Sequence, residues 1–394
     1  MCFNDITKSF FNILEVWRNE IRRIFKDHGM ITFFIVLPLA YPIIYSWIYN
    51  NERVSEVPTT VVDLSHSSIS REFARKIEAT PDVHIIAHAG SLKEAQQSVP
   101  EGVSEGVILI PSDFSESVNR MQSSHVSVYC NMNGMLYYKA IISAVNDVAL
   151  DMGKELQIKA LGNTTSKQDE ISTAPIECEY VPMFNPTNGY ACYILPAVLI
   201  LIIQQSLLLG IGITAGTDKE KNRMLGIDKK IPEMLIGRAL AFFMLYVFVN
   251  IWLLVIMPSL FNLTQISQPS ALLGLAIPYT LACIFFATAA SALVRERETV
   301  MLIFVFTSLP MLFISGVSWP QSNIPDLWRY ISYAIPSTFG INGFQKVNTM
   351  GALLEDISFE YKALWIQTIV YFILSCVALA IRKNRLKAEN NKQQ

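Results

Sequence analysis

Hydrophobic and polar positions alternate along this chain on two scales. On the longer scale there are six apolar runs, at residues 30–49, 191–213, 239–260, 272–294, 299–317 and 364–381. None contains Asp, Glu, Lys, Arg or His, and each is long enough to cross the hydrocarbon core as a helix. The pattern predicts an α-helical polytopic membrane protein with six spans: one, then a large polar insert, then five. On the shorter scale, the insert at residues 50–186 switches repeatedly between period two and period 3.6. "VPTTVVDLS", "DVHIIAHA", "EGVILIP" and "HVSVYCN" read as strands. "SSISREFARKIEAT", "SLKEAQQSV" and "SDFSESVNRM" read as helices, the last capped by Ser112 or Asp113, and a long helix covers residues 135–159. Strands alternating with helices predict an inserted α/β domain with a small, largely parallel or mixed sheet.

Ahead of the first run, Phe10, Phe11, Leu14, Trp17, Ile21, Ile24 and Phe25 recur at helical spacing, with Arg18, Arg22 and Lys26 on other faces. This predicts an amphipathic helix within residues 1–29, lying in the membrane interface. No small-residue cleavage site follows residues 30–49, so that run reads as a retained anchor.

Composition supports the membrane assignment. The 394-residue chain is 52% hydrophobic and 16% charged, against about 25% charged for a soluble domain. The net charge of −2 says nothing of partners, but the absence of a basic face with interleaved aromatics argues against a nucleic-acid partner. Basic residues then set the orientation. Five precede the first run, six fall in residues 214–238, and five lie in the tail 382–394, whereas residues 259–271 carry none. With both termini cytoplasmic, every basic connection lies on one side and the insert is extracytoplasmic. Cys130 and Cys178 both fall in the insert, where a disulfide between them remains open. His84 and His88 lie in a strand, about 13 Å apart, too far to share a metal ion. There is no HExxH, GxSxG or phosphate-binding loop. The chain is read as a non-enzyme that binds no cofactor of its own.

The uncharged runs argue against ion coupling, because coupled pumps place ionisable groups within the membrane. Their polar exceptions are Gln204, Gln205, Asn250 and Gln367. The first three are candidates for a translocation path, with helix bridging as the competing role. Energy for any transport then has to come from a partner, and the charged segment 214–238 is the natural docking place. After the fifth run, "SGVSWPQSNIPDLWRYISYAIPSTFGING" breaks at Pro320 and Pro325. It restarts as a short helix striped by Ile324, Leu327, Trp328, Ile331 and Ile335, and ends at Pro336. A helix of about 11 residues is too short to span, so this stretch reads as a segment that enters the outer leaflet and turns back.

These stretches carry a resemblance. "TDKEKNRMLGIDKKIPEMLIGRAL" looks like the cytoplasmic coupling segment of the membrane subunits of ABC-2-type ATP-binding-cassette exporters. Glu220, Lys221, Pro232, Gly237 and Arg238 match its pattern, while Asn222 and Arg223 stand where the family usually has Gly-Thr. The stretch from Gly316 through Pro320, Pro325, Leu327 and Pro336 resembles the family's external re-entrant segment, and "GVILIPSDFSESV" resembles a strand and helix of its external domain. The resemblance implies a permease in the bacterial inner membrane, working as a dimer with a second permease copy or homologue. It also implies partner ATPase subunits carrying ATP and Mg, with a periplasmic adaptor and outer-membrane channel in some systems. It implies an ATPase-coupling set of Lys219, Glu220, Lys221, Arg223, Pro232, Glu233, Gly237 and Arg238, an external re-entrant segment at residues 318–360, and a gate formed by Gly316, Trp319, Pro320, Pro325, Leu327, Trp328 and Pro336. The competing class is a membrane-anchored sensor or scaffold whose outer domain binds a ligand.

Overall fold

The computed structural model describes residues 2–49, 54–161, 183–185 and 189–393. It divides the chain into two compact units, one made of Met1–Glu52 and Pro182–Gln394, the other of Arg53–Val181. Cys178 lies outside the described residues, so the cysteine pair of the insert is only half described.

The Arg53–Val181 unit is the inserted α/β domain. Its elements are β1 (Val57–Asp63), α3 (Ser68–Glu78), β2 (Val83–His88), α4 (Leu92–Gln97), β3 (Gly106–Ile110), α5 (Phe114–Asn119), β4 (Ser127–Cys130) and α6 (Met135–Leu161). The sheet order is β2-β1-β3-β4, with β1 parallel to β2 and β3, and β4 antiparallel to β3. Val61, Ile108 and Ile110 are fully buried, and they pack with Phe73 and Ile77 of α3 and Ile141 of α6. A reciprocal Ser67–Ser70 capping box opens α3, and Ser70 Oγ also donates to Asp63 Oδ2 at 2.7 Å, tying the helix start to the end of β1. The Cys130 thiol is pushed above its ordinary pKa by burial. His84 and His88 lie on β2 as the sequence implies, and His84 Nδ1 meets Glu78 Oε1 at 2.9 Å.

The other unit holds six helices long and apolar enough to cross a membrane. They are α2 (His28–Ile48), α7 (Tyr190–Glu220), α8 (Ile231–Leu260), α9 (Pro269–Ala290), α10 (Arg297–Ile314) and α13 (Ser358–Gln393), preceded by α1 (Cys2–Ile24). Two shorter helices, α11 (Asp326–Ser332) and α12 (Pro336–Met350), separate α10 from α13. The most apolar part of α7 is wholly buried, packed by α9, α10 and α12. Such a helix has no polar face to offer and belongs at the centre. Both α2 and α8 contain a π-helical turn, Thr32–Val36 and Trp252–Ile256, each just ahead of a proline, Pro38 and Pro258. A proline ring rejects the carbonyl four residues back. In α8 that carbonyl, Leu254 O, accepts instead from Gln265 Nε2 at 2.8 Å, so it is not left bare in an apolar setting.

Two differences from the sequence reading matter for function. Residues 214–238 are not one charged link. Helix α7 continues to Glu220 and α8 begins at Ile231, which leaves only residues 221–230 between them. The extra turns are charged, but their charged groups are held by hydrogen bonds and ion pairs within the protein. The second difference is at Pro336, which opens a helix where the sequence reading has it end one. The preceding helix is seven residues, not about 11, and Pro336 takes the first-turn position of α12. The tolerance of a first turn for a residue without N–H explains both.

Ile108→Ala is expected to destabilise the α/β unit by about 2–5 kcal/mol, and Ser67→Ala by about 1 kcal/mol. Hydrogen exchange of the strand peptides in the detergent-solubilised full chain reads both. Equal loss of protection in the two variants contradicts this ranking.

Candidate functional site

The charged ends of α7 and α8 meet α1 in a buried ionic cluster. Asp218, in the last turn of α7, is 1% exposed, and Glu20 of α1 is fully buried. Arg23 Nη2 lies 2.7 Å from Asp218 Oδ1, and Arg238 Nη2 lies 3.0 Å from Asp218 Oδ2. Arg238 Nε lies 3.6 Å from Glu20 Oε2, beyond hydrogen-bond length, so Glu20 gains charge attraction without an aimed hydrogen bond. Two carboxylates and two guanidiniums make this quartet neutral, which is what burial of charge requires. Arg23 also donates to Thr214 O at 2.9 Å, and Arg223 approaches Asp218 from the link at 3.5 Å.

Further along the same face of α1, Ser9 Oγ and Asn12 Nδ2 donate to the carboxylate of Glu233 at 2.8 and 2.9 Å. Lys229 Nζ donates to Asn12 Oδ1 and Glu15 Oε2. Gly237 makes this approach possible: a Cβ there would stand 2.8 Å from Ile13 O and from Val16 Cβ. The face of α1 turned inward therefore carries Asn12, Val16, Glu20 and Arg23 at helical spacing, while Phe10, Phe11 and Phe25 are exposed. Of the seven apolar positions read as an interface stripe, Phe10, Phe11 and Phe25 are exposed, Leu14, Trp17 and Ile21 are half-buried, and Ile24 packs into the core.

Lys219 and Glu220 bracket the turn between α9 and α10. Lys219 Nζ donates to Ser291 O and Ala292 O at 3.0 Å, and to Val294 O. Glu220 Oε1 accepts from Arg297 N at 2.6 Å, placing a negative charge at the start of α10, where the helix dipole favours it. Arg297 also grips Asp27 with both terminal nitrogens, at 2.8 and 3.0 Å. Asp27 in turn caps α2 by accepting from Gly29 N and Met30 N. Burial alone would raise the Asp27 carboxyl. The hydrogen bond and charge of Arg297, with the two amides, outweigh it and hold the pKa below the ordinary value. This tie stabilises the fold at neutral pH and is lost only as pH falls below the ordinary aspartate range.

The other implied residues separate into exposed and internal groups. Lys221 and Pro232 are exposed, and Arg223 is half exposed; Glu233, Gly237 and Arg238 are buried. Around the external segment, Gly316 has φ +96° and lies against Gln321, whose Nε2 donates to Ser315 O at 3.1 Å. Trp319, Leu327 and Trp328 are all more than half exposed, and Ile331 is exposed as well, so this stripe points away from the chain; Ile324 and Ile335 are buried. Pro325 precedes α11, and Pro320 precedes a 3₁₀ turn at Gln321–Asn323. The intramembrane amides tie helices together. Gln204 Oε1 accepts from Ser337 N at 2.7 Å and so caps α12, while Gln204 Nε2 and Gln205 Nε2 both approach Met311 Sδ. Asn250 Nδ2 donates to Thr280 Oγ1 at 2.9 Å, and Gln367 Nε2 donates to Tyr333 O at 2.8 Å.

Sequence reasoning missed Glu20, Arg23 and Asp218. The signal was present in α1, whose polar positions 12, 20 and 23 line up with Val16. An apolar stripe on another face of the same helix outweighed it. Asp218→Asn is expected to strand Arg23 and Arg238 and to cost about 3–5 kcal/mol. Asp218→Asn with Arg238→Met restores neutrality and is expected to recover part of the loss. Melting midpoints in detergent by size-exclusion chromatography decide between the two, and a double variant worse than the single one counts against a charge-balanced cluster.

Comparison with known proteins agrees with this architecture. No curated protein matches the chain. Residues 28–377, from the first span to within the last, match the ABC-2 family transporter proteins, and the chain is a member of that family, a multi-pass membrane component with a transport role.

Proposed function

We propose that this chain is the permease subunit of an ATP-driven exporter, with its basic ends cytoplasmic, and that its ATPase partner docks on residues 221–230. Family membership supports a transport role and implies an ATPase partner. The absence of a phosphate-binding loop in the sequence fits ATP and Mg being held on that partner. The observation that carries the docking site is the division of labour in the coupling region. Lys221, Asp228 and Lys230 are exposed on a link of ten residues. The charges on either side of it are locked into α1, α7, α8, α9 and α10. A push on the link therefore reaches rigid helices directly.

In this reading the ATPase drives transport by binding one arrangement of the ionic cluster better than the other. Glu233 and Arg238 transmit through α1 and α8, and Lys219 and Glu220 through the α9–α10 turn. The outward stripe of Leu327, Trp328 and Ile331 sits beside the segment that joins α10 to α12, which acts as the outer gate. A second permease copy completes the pathway, and a periplasmic adaptor and outer-membrane channel extend it where the system has them. The cargo is a drug-like, lipid or other small molecule.

Lys221→Glu with Lys230→Glu is expected to lower ATPase co-purification several-fold. Glu233→Leu is expected to retain association but to lose most transport, because it releases Ser9 and Asn12 and leaves the link exposed. Pull-down of the co-expressed ATPase and transport into inside-out vesicles separate the two. Unchanged co-purification in the link variant removes the proposed docking site.

A further inference from the structure

A cavity of about 390 Å³ lies at the basic end of the bundle, between the last turn of α7, the end of α9 and the part of α13 around Arg382. Its cationic lining is Lys219, Arg382 and Arg385, and no carboxylate lines it. Arg295 lies near enough to add to the repulsion felt by Lys219. None of these four forms an ion pair with a carboxylate among the described residues. The nearby acids are already engaged: Asp218 between Arg23 and Arg238, Glu220 with Arg297 N, and Asp27 with Arg297.

Like charges crowded into a concavity raise one another's energy unless an anion joins them. Lys219 spends its protons on three backbone carbonyls and so contributes charge alone. Arg382 uses one N–H on Arg223 O at 2.9 Å, which leaves most of its donors free. Arg385 is exposed at the mouth with its planar fork available. Two guanidiniums over a lysine suit a phosphate group. The remaining lining combines the apolar Leu379, Ile381 and Leu386 with the neutral polar Asn222, Thr288 and Ser291.

Depth identifies the source of the phosphate. Lys219 is the thirtieth residue of a 31-residue helix. Such a helix is about 46 Å long, whereas the hydrocarbon core is about 30 Å thick, so its charged end stands at headgroup level. A phosphate site at that level, with Leu379, Ile381 and Leu386 in its lining, fits a lipid better than a soluble ion. We infer that this cavity is a binding site for the phosphate headgroup of an anionic phospholipid, held by Arg382 and Arg385 over Lys219 and locking the α7, α9 and α13 ends together. The inference does not depend on the transported molecule, and the cavity borders the proposed docking link through Asn222 and the Arg382–Arg223 hydrogen bond.

The test uses the full chain, purified in a neutral detergent and delipidated. Phosphatidylglycerol or cardiolipin is expected to raise the melting midpoint by several degrees, whereas phosphatidylcholine and millimolar inorganic phosphate leave it unchanged. Native mass spectrometry is expected to retain one or two anionic lipids per chain, with retention falling at least several-fold in Arg385→Gln and in Arg382→Gln/Arg385→Gln. Ser291→Trp, which fills the cavity without altering its charge, is expected to do the same. An equal response to phosphatidylcholine, full retention in the arginine variants, or a shift produced by inorganic phosphate alone overturns the lipid assignment. Stabilisation that appears only when the ATPase subunit is added, with no lipid response, overturns it in favour of a protein contact.

Discussion

A carboxylate buried at the end of a membrane-crossing helix must be held by cations, and Asp218 takes two of them. Much of the basic end follows from that requirement. Arg23 reaches Asp218 only if α1 lies across α7, and Arg238 reaches it only if α8 starts beside the last turn of α7. Glu20 then offsets the second guanidinium. Gly237 removes the side chain that would keep α1 away. A well-packed apolar cluster of the same volume would be as stable or more so. The quartet instead ties α1 to one register, since a slide of α1 would part Arg23 from Asp218 and Glu20 from Arg238 together.

The same logic recurs inside the bundle with neutral groups. Tyr246 donates to Ser206, Tyr279 to Ile200 O and Ser375 to Phe285 O, each across a helix contact. Gly340 allows a close approach, where a Cβ would meet the Tyr279 ring at 2.3 Å. Apolar burial gives little preference among helix arrangements in lipid, so small residues and directed hydrogen bonds choose the arrangement. The short helix α12 depends on this most. It runs 15 residues, too short to span, and its amino end is closed by a glutamine from the central helix.

The fold was legible wherever one period dominated. The six apolar runs, the four strands and the long helix of the insert all follow from hydropathy and alternation, because burial there is decided locally. Legibility failed where tertiary partners reassign a polar residue. Residues 214–220 read as a link because Asp218, Lys219 and Glu220 are charged; their partners lie 20 to almost 200 positions away in sequence. Helix α12 was missed because its glycines, serine and asparagines, which permit close packing, also resemble a loop. Pro336 was misplaced because proline marks a helix start as readily as a helix end, and only the capping group on Gln204 distinguishes them.

One helix joins the ionic cluster to the start of α12. Asp218 anchors α7 in the ionic cluster, and Gln204, 14 residues earlier, caps α12, so about 21 Å of uninterrupted helix separates them. An α-helix is stiff over that length, and α7 is enclosed along its whole apolar stretch by α9, α10 and α12. Close-packed interiors yield by switching arrangement, not by deforming smoothly. A shift of Asp218 therefore cannot be absorbed locally: it has to carry Gln204, and with it the amino end of α12, or break the cluster. Within the quartet, the contact best suited to give first is the 3.6 Å approach of Glu20 to Arg238, which lacks an aimed hydrogen bond, whereas Arg23 and Arg238 lie 2.7 and 3.0 Å from Asp218. Movement of α1 against α8 is thus the least costly way for the basic end to change while α7 and its cap on α12 stay one body.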